Sequence, residues 1–338
     1  MLTTVVNVVG IEVMSRINTI GVTVEIVGVI ATVALFLTHT DRGPGVVLDH
    51  STAAPGGYWA AFLVSGLMAA YVMVGFDSAG ELSEETKNPR RVAPRTILTA
   101  LTVSALGGGL MLFGALMAAP SLSDGKLAAD GLAYVISAKL DSPAGRVLLC
   151  CVAIAITVCT LAIQTAGSRL MFSMARDGRL PFARRLAAVH PRFGTPVLPA
   201  VVIGALAIAL LVLNLGNAAI FATLASVCIV MLYLAYLLVT VPLLVHRIRN
   251  RAVTDDTGLF SLGRFGIPVN ALAVLWGLGM ALNLAWPRSA VYTPSGGGWW
   301  LLWAAPLFVL ASIAVGAVVH QFVATRPAGN SVPAVQPA

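Results

Sequence analysis

Charge is what this chain has least of. Only 10% of its 338 residues are Asp, Glu, Lys or Arg, against roughly 25% in soluble domains. No stretch is polar enough to be read as a soluble domain. Cysteine is scarce too: Cys150, Cys151, Cys159 and Cys228 are the only four. All lie in apolar stretches without ligand spacing, which argues against a metal site or disulfide framework and for buried thiols. The five histidines, His39, His50, His190, His246 and His320, scatter over loops and helix ends. H-E-x-x-H, a Walker lysine motif and G-x-S-x-G are missing, so enzyme chemistry and cofactors are not expected. An intramembrane protease needs paired aspartates or a serine–histidine pair at depth, and Asp77 is the one deep aspartate.

Apolar length is what the chain has in abundance. Hydrophobic residues make up 58% of it, and runs of about 18 or more read as membrane spans. Eight are expected, at about 20–38, 58–80, 95–119, 146–172, 197–214, 218–245, 267–286 and 299–323. They form one transmembrane domain over residues 1–323, with a disordered cytoplasmic tail at 324–338. Gly107, Gly108 and Gly109 in the third span read as a close helix contact. Sixteen of the 21 Lys and Arg fall on one side of these spans: Arg16, Lys87, Arg90, Arg91, Arg95, the arginines of residues 169–192 and of residues 247–264, and Arg326. The other side has Arg42, Lys126, Lys139, Arg146 and Arg288. The bias puts the richer side, and both termini, in the cytoplasm. It also accounts for the formal net charge of +7 without nucleic acid. Two surface helices are expected, at Leu127 to Leu140 outside and around Leu180 to Val189 inside. Leu2 to Ile11 is a short apolar run interrupted by Asn7. It is too short to span, and reads as the cytoplasmic end of a helix whose beginning is absent, or as an interfacial anchor.

The run Gly75-Phe76-Asp77-Ser78-Ala79-Gly80-Glu81 begins inside the second span and leads through Ser83, Glu84, Glu85, Lys87 and Arg90 into a charged loop. A carboxylate at membrane depth is costly and usually functional, and glycines there allow a helix to unwind against a cavity. Discontinuous helices of this kind form substrate sites in many secondary transporters. A glycine-lined packing face is the alternative.

The block Gly75 to Arg95, ending in Lys87-Asn88-Pro89-Arg90-Arg91-Val92-Ala93-Pro94-Arg95, resembles the sixth helix and following loop of the amino acid–polyamine–organocation (APC) superfamily permeases. Ser168-Arg169-Leu170 through Ala175-Arg176-Asp177-Gly178-Arg179-Leu180-Pro181 is similar to the end of their eighth helix. His190-Pro191-Arg192 and Thr195-Pro196 continue into the ninth. Ser15-Arg16-Ile17-Asn18, with Gly21 and Glu25, resembles the entry to their fifth. The resemblance implies an all-α polytopic membrane protein with a partial inverted-repeat (LeuT-like) fold, in which eight spans correspond to helices five to twelve of twelve. The family's first helix, with its own glycine-rich break, has no counterpart here, so half of the backbone substrate site cannot be found.

By that resemblance the chain is a secondary active transporter of amino acids or related amines, working by alternating access in the plasma (cytoplasmic) membrane. Gly75, Phe76, Asp77, Ser78 and Gly80 are its implied substrate contacts. Asp77, Gln164 and Thr165 are candidates for coupling to H+ or Na+, with interhelical hydrogen bonds as the other use of Gln164 and Thr165. Tyr233 and Tyr236 either reach a central site or only pack. Glu84, Glu85, Lys87, Arg90, Arg176 and Asp177 form a cytoplasmic gate or a solvated salt-bridge network. The rival reading is a truncated, non-transporting fragment, or a membrane subunit that needs a partner.

Overall fold

The structure is a computed structural model and describes residues 1–9, 11–49, 57–83, 86–139, 143–214, 218–249, 260–293 and 298–324. Every regular element among them is helical. Among the described residues six helices are long and apolar enough to cross a membrane, at Val13–Thr38, Pro89–Ala118, Gly145–Arg176, Thr223–Arg249, Gly263–Ala285 and Ala304–Val323. Two shorter apolar helices, Tyr58–Val72 and Val197–Val212, lie where the second and fifth spans are expected. Large apolar side chains such as Leu210, Leu238, Ile313 and Phe322 stand exposed on these helices. In water that surface would collapse; in lipid it is already solvated, and helices are held by close packing and hydrogen bonds instead.

The chain divides into two compact units, joined at Tyr58, where α5 (Pro89–Ala118) passes Ile97 and where α10 (Val197–Asn214) passes Leu206. The first unit contains α1 (Leu2–Val9), α2 (Ile11–Thr38), most of α5, α6 (Gly125–Asp130), α7 (Leu132–Lys139), α8 (Pro143–Arg176), α9 (Ala183–Leu186) and the start of α10. Its organising contact is α2 against α8. A Cβ added to Gly21 would stand 2.2 Å from a methyl of the buried Val158, so the helices approach closely only because residue 21 has no side chain. Farther along α2, the fully buried Phe36 packs on Gly114 of α5 and on Ala118, Val135 and Ile136. The expected contact at Gly107 to Gly109 is looser. Gly107 would meet Val29 at an ordinary 3.7 Å, and Gly109 faces open space.

Between α5 and α8 the expected single surface helix is two. Gly131 takes φ +53°, which only glycine adopts freely, and breaks the run into α6 and α7. Asp124 starts α6 by accepting from the Lys126 N–H at 2.9 Å and from the Tyr134 hydroxyl at 2.7 Å. Those two donors hold the Asp124 carboxyl below its usual range, and the same bond pushes the Tyr134 phenol up. The expected inner surface helix shrinks to the four residues of α9, because Pro181 precedes Phe182, which sits in the left-handed region at φ +58°. The proposed tail after residue 324 lies outside the described residues.

The second unit holds α3 (Tyr58–Val72), α4 (Ser78–Glu81), α11 (Ala218–Arg249), α12 (Gly266–Ala285), α13 (Ser289–Tyr292), α14 (Trp299–Leu302) and α15 (Ala304–Ala324). Its core joins Ala70, Val227, Ile229, Val230, Met280, Leu284, Tyr292 and Ala305. The Asn283 amide donates to the Leu63 carbonyl at 2.8 Å, tying α12 to α3. Arg247 donates to the Gly266 carbonyl at 2.8 Å. Tyr292 is fully buried and donates to the Leu284 carbonyl. Burial pushes its phenol up to about 12, so it stays a neutral donor.

Candidate functional site

The apolar run that starts at Tyr58 does not continue as one helix. α3 stops at Val72, residues 73–77 form turns, and α4 resumes at Ser78. Gly75 takes φ +101°, a conformation open in practice to glycine alone. Tight backbone bonds replace the helical ladder: Val74 N–H to Tyr71 at 3.1 Å, Ser78 N–H to Gly75 at 3.2 Å and Gly80 N–H to Asp77 at 2.7 Å. A Cβ at Gly75 or Gly80 would meet nothing within 4 Å, so there is open space beside the turn and beside α4. Interrupting a helix frees backbone donors and acceptors that a polar ligand can take up.

The side chains at the break divide by chemistry. Asp77 is half-buried, and its carboxylate makes no hydrogen bond or ion pair among the described residues. Phe76 turns to α11, its ring 5.7 Å from that of Tyr236 and tilted by 40°. Tyr236 stands edge-on to Tyr233 at 6.2 Å, and the Trp276 indole N–H of α12 donates to the Tyr233 hydroxyl at 3.3 Å. An aromatic row thus leads from the break across α11 to α12. Tyr233 and Tyr236 were legible as a pair from their i, i+3 spacing on one helix face. Trp276 was not, because its partner lies on another helix.

Gln164 and Thr165 belong to the first unit, and the break to the second. Both are buried in hydrogen bonds to α1 and α10. Gln164 donates to the Thr4 hydroxyl at 2.8 Å and to the Ala200 carbonyl at 3.2 Å. The Thr165 hydroxyl lies 2.6 Å from the Asn7 amide oxygen and 2.8 Å from the Leu161 carbonyl, and Thr195 donates to the Val8 carbonyl at 2.9 Å. Asn7, which in the sequence only interrupts an apolar run, is therefore a buried partner of α8. A lone amide in such a run was the available signal.

Of the gate candidates, Lys87 and Arg90 are exposed, while Glu84 and Glu85 lie outside the described residues. Arg176 reaches its neighbour Asp177 at 3.9 Å and stands 5.9 Å over the Phe172 ring.

Helices of membrane-crossing length with one helix broken at a glycine define an all-α, polytopic integral membrane protein. Within that class the chain belongs to the amino acid permease family, which it matches over residues 1–325. It is 28% identical to the amino-acid permease BAT1 of Arabidopsis thaliana over 76% of this chain and 50% of that protein. It is 29% identical to amino-acid permease 2 of Neurospora crassa, over 71% of this chain and 43% of that one. A methylthioribose transporter of Bacillus subtilis is 36% identical over 40% of this chain and 28% of its own. The chain spans about half the length of the curated relatives it matches. The family is one of permeases, not of enzymes.

Proposed function

We propose that this chain is a secondary active transporter whose substrate site includes one broken helix, and that the substrate is an amino acid or a related amine. The observation that carries the reading is Gly75 at φ +101° beside open space, in a chain of the amino acid permease family. Backbone N–H groups at the start of a half-helix suit a carboxylate, and freed carbonyls suit an ammonium group. The N–H groups of Gly75, Phe76 and Asp77, which take no part in the tight bonds of Ser78 and Gly80, offer that backbone, and Phe76 offers the wall against which an apolar side chain rests. Alternating access follows if the turn at residues 73–77 flexes as the cavity opens and closes.

Asp77 is the proposed coupling residue, because a half-buried carboxylate with no hydrogen bond or ion pair among the described residues can take up a proton or face a cation. A coupling-ion contact at Gln164 and Thr165 requires their bonds to Thr4 and Asn7 to be exchanged. Arg176 with Asp177, and Lys87 with Arg90, would lie on the cytoplasmic side, where both termini belong on the lysine and arginine bias.

The test is uptake of radiolabelled amino acids and polyamines into proteoliposomes. Gly75→Ala should lower uptake at least tenfold in protein that still purifies as a single species, and unchanged uptake refutes the site. Asp77→Asn should flatten the pH dependence of uptake; a retained pH profile removes the coupling role. A second reading rests on the chain's matching about half of its relatives' length. In it, the chain transports only together with further polypeptide. Uptake by the 338-residue chain alone decides between the two.

A further inference from the structure

Away from the broken helix, the first unit has a groove of about 450 Å³ where the end of α8, the connection through α9 and the start of α10 meet. That volume lies within the roughly 300–1,000 Å³ of small-ligand pockets. Its walls are apolar: Met171 from α8, Leu198 and Val202 from α10, and Leu180, Phe182 and Leu186 from the connection. One charged residue completes the lining, Arg185. Phe182 is 69% exposed, on a backbone held in the left-handed region.

The charge around the groove is one-sided. From Arg169 to Arg192 the chain carries six arginines and one carboxylate, Asp177, and that carboxylate lies against Arg176. Arg184 and Arg185 are exposed, and neither has an ion-pair partner among the described residues. α8, of membrane-crossing length, ends at this connection, and the shorter apolar helix α10 starts from it, which puts the arginines where lipid headgroups are expected. An apolar slot that opens beside unpaired guanidinium groups at that level matches one kind of molecule on both counts. Acyl chains fill the slot, and a phosphate accepts the paired N–H donors of arginine.

We propose that this groove is a binding site for an anionic phospholipid, with an acyl chain against Met171, Leu198 and Val202 and the phosphate on Arg185 and Arg184. The site does not involve the broken helix, and it stands whether or not the chain transports by itself. Its effect is to hold the α8–α9–α10 corner in one arrangement. A lipid there adds to the bonds that Thr195 and Gln164 make to α1 and that Gln164 makes to α10.

The experiment is thermal unfolding of the full chain, purified and stripped of lipid in a neutral detergent. Dioleoyl phosphatidylglycerol, dioleoyl phosphatidylcholine or inorganic phosphate is then added. Phosphatidylglycerol should raise the melting temperature with saturable concentration dependence, as a ligand of the folded state does. Phosphatidylcholine and inorganic phosphate should not. The double substitution Arg184→Gln/Arg185→Gln changes only exposed side chains, and should weaken the apparent affinity about tenfold or more, equal to about 1.4 kcal/mol. Leu198→Trp keeps every charge and fills the slot, and should abolish the response; Val202→Phe repeats that test one turn farther along α10. Equal shifts with phosphatidylcholine would mean annular lipid only. A shift with inorganic phosphate would mean an anion site without a lipid. A full response in both slot-filling variants would mean surface electrostatics alone. Any of the three overturns the proposal.

Discussion

The ring of Phe76, in the turn that interrupts the second apolar run, lies 5.7 Å from the ring of Tyr236 on α11. The contact fastens a segment with little helical hydrogen bonding to a helix that has plenty. Aromatic pairs at this separation contribute roughly 0.5–1.5 kcal/mol beyond the area they bury. A double-mutant cycle with Phe76→Leu and Tyr236→Leu, read by thermal unfolding, should show a coupling of about that size. Additive effects would mean that the rings are neighbours without an energetic link. Tyr236→Phe should keep most of the coupling, since the ring and not the hydroxyl makes the contact.

Gly21 sets how closely α2 and α8 approach. A Cβ at that position would sit 2.2 Å from Val158 Cγ2 and 2.8 Å from Cγ1. Gly21→Ala therefore forces the helices apart, at an expected cost of about 1–3 kcal/mol. Val158→Ala in the same chain should restore most of the lost melting temperature by removing both methyls. Failure of that rescue would show that residue 21 acts through something other than this contact.

Thr165 and Asn7 meet at 2.6 Å, and both are buried. Side-chain hydrogen bonds between membrane helices are worth on average about 0.6 kcal/mol, and up to about 1.7 kcal/mol. Thr165→Val should lower stability by an amount in or just above that range, since it leaves the Asn7 amide oxygen unpaired. Asn7→Leu should add little further in the Thr165→Val background. Equal losses in both backgrounds would show that α1 is held elsewhere.

Asp124 predicts a pH dependence at the α6–α7 turn. Its carboxyl is held below the usual 3.8 by the Tyr134 hydroxyl first and the Lys126 N–H second. Its contribution is therefore complete above the unfolded value and disappears as pH falls through the lowered folded one. Tyr134 moves the other way, raised above 10.0 by the same bond. Ultraviolet titration of the chain against its Tyr134→Phe variant should show that phenol ionising above 10. In Asp124→Asn the charge is gone, and the phenol should return towards its ordinary value. An unchanged titration in Asp124→Asn would place the cause of the shift elsewhere.

The broken helix was visible in the sequence because two glycines and an aspartate do not belong in a lipid-facing run. Its limits, the end at Val72 and the restart at Ser78, were not, and neither was the contact of Phe76 with Tyr236 on another helix. The surface helix expected from Leu127 to Leu140 failed at Gly131, where the apolar pattern continues but the backbone turns at φ +53°. Pro181 was in plain view as a helix breaker. The left-handed Phe182 that follows it was not, because an aromatic there is disfavoured on local grounds.

Composition and run length by themselves determined that this is a helical membrane protein, since long runs without charge have no other stable form across a bilayer. Motif spacing determined the family. Tertiary structure alone decided which faces meet. Spans that are apolar on every side carry no periodic stripe to point at a neighbour. The contact between Asn7 and Thr165 joins residues 158 positions apart. In lipid, apolar burial does not choose between faces, so the choice falls to a missing side chain at Gly21 and a few buried hydrogen bonds. Both become readable only once the helices are side by side.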